Sequence, residues 1–442
     1  MRPTQPILLT ALFFASVGAY STSVASTDSR WSVIANAYEL AATLTGTEDN
    51  KTHGEGDVNI VRFDTEFRNL EGRCNQLAKR DRAPCLDDLL RLKSLVKSEV
   101  NPDDPNRNRR FATNIPNFVS PEMSKVMANW TPFWLADGFT GFPDPSDKAA
   151  WQFEVLHGEV IGPAAKAGEA FLGTMNITTE ERELNGVRTV MLHPSENRHP
   201  GKVLIHVHGG AFYANTPETT YDRTAPLADL MGINIVSVDY KLMPGKPGEE
   251  WDILNQRDQV IAVFDALTAE GTQYKPEDIG IYGCSAGSGL VAMSVNKLSH
   301  RGGKLPAAAV LQGAMVDFTM DSDSNTTLRY DDPRTNFDLL MESVWPMLGM
   351  TEEKAKDPRY STVLDNFEGR DFPPTMIQQG TKEIQMSDGV RMYDVLRQAG
   401  HTTQLDVHDA MQHCFHGHWG TPEAEVAVTR VAEWFAEHLH TK

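Results

Sequence analysis

Ile279-Gly280-Ile281-Tyr282-Gly283-Cys284-Ser285-Ala286-Gly287 carries the strongest local signal in the chain. A short apolar run ends at Tyr282, and an apolar, helix-like stretch begins at the second glycine. Between them stands G-x-S-x-G, a nucleophile elbow in a strand–turn–helix setting. The turn is too tight for β-carbons against the neighbouring strand and helix, so glycines flank the serine. The serine itself is held on a strained backbone with its hydroxyl exposed. Chance matches to three fixed positions in five are common; the setting gives this one its weight. Ser285 is the candidate nucleophile.

Working outward, residues 187–192 alternate as an edge strand would. Residues 202–207, 233–238, 279–282, 307–311 and 375–379 are short apolar or β-branched runs. Helical stretches of about a dozen residues separate most of them, which predicts a largely parallel sheet covered on both faces. The last helix, Glu423 to His438, packs against that sheet. No internal repeat recurs at a fixed period.

His208-Gly209-Gly210-Ala211-Phe212 closes an earlier strand. Ester hydrolysis places negative charge on a carbonyl oxygen, and fixed backbone N–H groups must meet it. Glycines let the chain turn its amides inward. The expected donors are the N–H groups of Gly210 and Ala211, joined by that of Ala286 after the serine.

The 442 residues divide into three parts. Residues 1–25 read as a signal peptide: Met1-Arg2 is a short basic start, and Ile7 to Val17 is too short an apolar run to span a bilayer. Ser23 and Ala25, or Val17 and Ala19, are spaced like a cleavage site; a membrane-anchoring helix is the alternative reading. Residues 26–150 read as a helical extension or cap, with Leu86, Leu89, Leu90 and Val96 on one face and Trp130, Phe133, Trp134, Phe139 and Phe142 in a Gly/Pro-rich junction. Residues 151–442 form the catalytic domain, in which 318–372 is a cap insertion. The expected location is secreted or periplasmic, with no stable membrane anchor after signal removal. In an oxidising compartment Cys74 and Cys85 could staple a short loop. Forty-one Lys and Arg against 60 Asp and Glu give a net charge of −19, which argues against nucleic acid.

The segment His208–Phe212 resembles the H-G-G-G-F motif of the hormone-sensitive-lipase family of esterases, with Ala211 in place of the third glycine. Val238-Asp239-Tyr240-Lys241-Leu242-Met243-Pro244 is similar to that family's D-Y-R-x-A-P segment. Val316 to Thr319 and Asp357 to Ser361 fall where similar stretches occur. The resemblance runs from about Asn185 to the C-terminus and implies an α/β-hydrolase fold, with a mostly parallel central sheet flanked by helices. It places the catalytic acid in the turn Gly380 to Asp388, at Glu383, with Asp388 as the fallback. It places the base at His413, within Met411-Gln412-His413-Cys414-Phe415. Ser285, Glu383 and His413 then stand in the chain order of that fold.

The implied enzyme is a carboxylesterase acting on a small-molecule ester through an acyl-enzyme, with no cofactor and no metal. His413, His416 and His418 match no metal-ligand spacing, and the last two are expected to be solvated loop histidines. Cys284 precedes the serine and Cys414 follows the histidine. Tannases and fungal feruloyl esterases carry a similar Cys-Ser … His-Cys arrangement, which implies a Cys284–Cys414 disulfide; two buried thiols are the alternative. That feature supports a second reading, an aryl or phenolic-acid esterase. A third is a non-catalytic binding protein on the same scaffold. Oligomeric state leaves no mark in the sequence.

Overall fold

The run Val203–Val207 shows how the sheet is built: Val203, Ile205 and Val207 face one core, and Leu204 faces the other. A strand buried on both faces needs cover on both. The computed structural model describes residues 115–116, 118–129, 142–151, 161–328 and 340–441, with Leu70, Arg73, Cys74, Cys85, Asp332 and Phe337. The strands are β1 (Ile177–Leu184), β2 (Val187–Pro194), β3 (Val203–Val207), β4 (Asn234–Val238), β5 (Ile279–Cys284), β6 (Ala308–Gln312), β7 (Thr375–Lys382) and β8 (Thr403–Gln412). They form one sheet in the order β1-β2-β4-β3-β5-β6-β7-β8. β1 and β2 form an antiparallel hairpin, β2 is antiparallel to β4, and every other pairing is parallel.

The longer helices are α1 (Pro121–Asn129), α2 (Ile161–Leu172), α3 (Tyr221–Met231), α4 (Ile253–Leu267), α5 (Ala286–Arg301), α6 (Met386–Gln398) and α7 (Pro422–His438). Helices α4, α5 and α6 bury Val260, Phe264, Leu290, Val291, Met392 and Leu396 on one face of the sheet. Helices α3 and α7 bury Tyr221, Leu227, Val428, Val431 and Phe435 on the other. This is the α/β-hydrolase fold.

Residues 187–192 are not an edge strand. β2 lies inside β1, whose sequence Ile-Thr-Thr-Glu-Glu-Arg-Glu-Leu is exposed along almost its whole length. A strand with polar residues on both sides lacks the alternation that marks a half-buried one, so it escapes periodicity.

In the 318–372 segment the described residues Phe318, Val344, Trp345, Met347, Tyr360, Val363 and Phe367 are all part of the core. The indole N–H of Trp345 donates to the Phe318 carbonyl, and its ring stacks on Phe318. Phe318 in turn packs on Phe212. Residues 1–25, Leu86, Leu89, Leu90, Val96, Trp130, Phe133, Trp134 and Phe139 lie outside the described residues. Cys74 and Cys85, in a separate compact unit, are joined by a disulfide with Cα atoms 5.6 Å apart.

Candidate active site

Ser285 caps the sheet where β5 meets α5, at φ 59° and ψ −127°, a backbone region that side chains enter only when held there. Close packing does the holding. A β-carbon at Gly287 would lie 2.0 Å from the Val207 carbonyl oxygen, and one at Gly283 would lie 2.6 Å from the same atom. The Ser285 N–H donates to the Gln312 carbonyl at 2.9 Å. The Ser288 hydroxyl donates to the Ser285 carbonyl at 2.5 Å. The serine is partly exposed, between buried neighbours.

The 208–212 loop follows β3 and passes directly over this turn. A β-carbon at Gly209 would sit 2.7 Å from the Cys284 carbonyl oxygen and 3.1 Å from Ser285 Cβ. Gly210, Ala211 and Phe212 are successive left-handed residues, at φ +114°, +48° and +70°. Such a run turns consecutive amides toward one side. Ala286, the first residue of α5, presents an N–H with no acceptor inside its own helix.

Polar groups from the segment after β4 and from α4 fasten the loop. The Tyr240 hydroxyl donates to the His208 carbonyl at 2.8 Å, and its ring stacks on the imidazole at 4.1 Å. The Gln256 amide donates to the carbonyls of Phe212 at 2.8 Å and Lys241 at 2.9 Å. Burial pushes the His208 imidazole down to about 4, so it is neutral near pH 7. Tyr213, one residue further on, meets an aromatic pair from outside the sheet, Phe142 and Trp151.

Glu383 and His413 are brought together. Glu383 Oε2 lies 2.6 Å from His413 Nδ1, and the carboxylate is 1% exposed. Its other oxygen accepts the Gly380 N–H at 2.7 Å. With Nδ1 facing a carboxylate, the ring is fixed with Nδ1 as donor and Nε2 as its second face. Asp388 is elsewhere: it lies in the first turn of α6, buried, and accepts the Asp317 N–H at 3.3 Å. Burial and the Asp317 carboxylate raise its pKa well above the ordinary range.

A disulfide joins Cys284 to Cys414 across 130 residues, with Cα atoms 6.4 Å apart. It ties the residue before Ser285 to the residue after His413. His416 is buried rather than solvated, because the turn Phe415–Gly417 tucks it inward. One of its ring nitrogens and the two sulfurs lie within 4.8 Å of one another. The sulfurs are bonded to each other and are not thiolate ligands. His418 Nε2 lies 3.2 Å from the Gln412 amide nitrogen.

Several residues of the site gave no sequence signal. Gly313, just past β6, is at φ +54°, and a β-carbon there would lie 2.7 Å from His413 Cε1 and 3.0 Å from Glu383 Oε2. Ser324 and Asp332 clasp the turn that carries Glu383: the Ser324 hydroxyl donates to the Ile384 carbonyl at 2.6 Å, and Asp332 accepts the Ile384 N–H at 3.1 Å. A glycine after a strand and a polar residue within a long insertion are both too common to single out.

Known proteins share this fold. Residues 204–417 match the family described as the alpha/beta hydrolase fold. An esterase of Acinetobacter venetianus is 28% identical over 235 residues, 53% of this chain and 74% of that protein. An acetyl-hydrolase of Streptomyces hygroscopicus is 25% identical, over 52% of this chain and 74% of its own. An ethyl acetate hydrolase of Pseudomonas putida is 22% identical, over 66% and 91%. The crystal structure of an esterase from the bacterial hormone-sensitive lipase family superposes with a TM-score of 0.56 at 27% identity, covering 62% of this chain and 90% of that one. The chain is a carboxylesterase of the α/β-hydrolase fold, similar to the hormone-sensitive-lipase family of esterases.

Proposed function

We propose that the protein is an exported short-acyl carboxylesterase that works through an acyl-enzyme on Ser285. The observation that carries this reading is the Glu383–His413 pair at 2.6 Å, set beside a strained serine by a disulfide that joins their two loops. His413 takes the Ser285 proton as Oγ bonds to the ester carbonyl. Glu383 orients the ring and stabilises its charged form. The N–H groups of Gly210, Ala211 and Ala286 receive the oxyanion. The carbonyl re-forms as the bond to the alcohol breaks, and the alkoxide leaves with the proton held by His413. Water then attacks the acyl-enzyme, gives its proton to His413, and Ser285 regains a proton as the carboxylic acid departs.

Support for a short acyl group comes from relatives named for acetyl and ethyl acetate hydrolysis. Export rests on the Met1 to Ala25 pattern and two disulfides. No helix among the described residues is long and apolar enough to cross a membrane. The Cys284–Cys414 bond favours the second reading, a phenolic-acid esterase similar to tannases and feruloyl esterases. Hydrolysis of p-nitrophenyl acetate, butyrate and octanoate against methyl ferulate decides between them. The proposal expects acetate and butyrate to be turned over fastest; a preference for methyl ferulate would replace it with the second reading.

A further inference from the structure

The N-terminal extension sends helix α1 to the far side of the histidine loop. Val119, Met123 and Met127 pack in one apolar cluster with Ala410, Met411 and Phe415, which flank His413, and with Ala427 of α7. Met123 has no exposed surface. A polar clasp closes the same contact. The Ser120 hydroxyl donates to one oxygen of Glu423 and the Ser120 N–H to the other, each at 2.6 Å and across 303 residues. The Ser120 hydroxyl also accepts the Met123 N–H at 3.1 Å, capping α1. Glu423 lies in the first turn of α7, so one carboxylate serves two helix N-termini, where negative charge is favoured.

The loop gripped in this way is short and irregular. Cys414 is left-handed at φ 54°, and a single 3₁₀ turn, Phe415–Gly417, leads on to Thr421 and α7. Within it the Gly417 N–H donates to the Cys414 carbonyl at 3.2 Å and the His418 N–H to the Phe415 carbonyl at 3.0 Å. Its disulfide fixes one end, Glu383 holds the ring, and α1 covers Met411 and Phe415 on either side.

We infer that α1 is a positioning element for His413: the extension braces the base through Met123 and the Ser120–Glu423 clasp. This rests on His413 being the general base. Displacement of a base by about 1 Å costs on the order of a hundredfold in rate, so partial loosening should cost about tenfold.

The test compares Met123→Ala, Met123→Leu and Glu423→Gln with wild type in the full-length protein, well below the melting temperature of each. Two readouts are taken: kcat and KM for p-nitrophenyl acetate, and the low-field proton resonance of the His413–Glu383 hydrogen bond. The second needs no substrate, so it stands even if the esterase reading fails, which Ser285→Ala would reveal separately. The expected result is that Met123→Ala lowers kcat about tenfold at unchanged KM and broadens the resonance through faster exchange, while Met123→Leu restores both. A helix that only adds stability would lower the melting temperature and leave kcat and the resonance intact; that result overturns the inference. If Met123→Ala does not fold, Glu423→Gln decides on the same two readouts.

Discussion

Gly313 stands against His413 so closely that a β-carbon would lie 2.7 Å from Cε1 and 2.9 Å from Nδ1 of the imidazole. The same carbon would be 3.0 Å from Glu383 Oε2. The acid–base pair thus packs on a glycine, and its position depends on that residue having no side chain. Gly313→Ala should lower kcat by about a hundredfold with little change in KM, because the ring must move. The left-handed φ of +54° adds strain. Steady-state kinetics on p-nitrophenyl acetate check this; full activity in a folded variant would contradict it.

Glu383 and Asp388 separate cleanly. Glu383→Gln keeps the shape but removes the charge facing His413 Nδ1, and should lower kcat by about 10³–10⁴-fold. Asp388→Asn, whose carboxyl lies against Asp317 instead, should stay within a few-fold of wild type. The reverse ranking, from purified variants on one substrate, would transfer the acid's role to Asp388.

The Cys284–Cys414 bond closes a loop of 130 residues. By the chain-entropy model its loss should cost about 4–5 kcal/mol of stability. Activity should fall with it, because the bond holds the loops of Ser285 and His413 together. Cys284→Ala and thiol reduction under mild denaturation should give the same loss in unfolding and kinetic assays. Unchanged activity in the reduced protein would show that packing alone sets the Ser285–His413 geometry.

Stability should respond to pH through buried histidines. His208 is pushed down to about 4 and His206 well below its ordinary value, both chiefly by burial. The unfolded chain binds these protons near pH 6.5, so the folded state loses stability as pH falls from there toward 4. His208 alone accounts for on the order of 3 kcal/mol. Asp406, bonded to His408, Gln378 and Arg430 and held near 2, adds a further loss below about pH 4. Asp388, with its raised pKa, acts in the opposite sense and favours low pH. Melting temperatures of Asp388→Asn should therefore fall steeply between pH 7 and 4.5, and its advantage over wild type should be greater at pH 8 than at pH 5. A flat profile in that variant would contradict neutral buried histidines.

Much of the site was legible because its chemistry demands rare local patterns. Glycines around Ser285 and at 209–210 are required by contacts with Val207, Cys284 and Ala214 that only glycine permits. Parallel strands buried on both faces announce themselves as short apolar runs. Residues that act from a distance left no such mark. Gly313, Gln256, Ser324 and Met123 reach the site through tertiary contacts, and nothing beside them in the chain shows it. β1 carries no signal for the opposite reason: an exposed edge strand needs no apolar face.

In the proposed mechanism Ser285 carries the acyl group. Intact-protein mass spectrometry after rapid mixing with p-nitrophenyl acetate at low pH, where deacylation is slowed, tests it most directly. The expected result is one added acetyl group per chain, located by peptide mapping to Ser285, and none in Ser285→Ala. An acetyl group on another residue, with turnover surviving in Ser285→Ala, would contradict it.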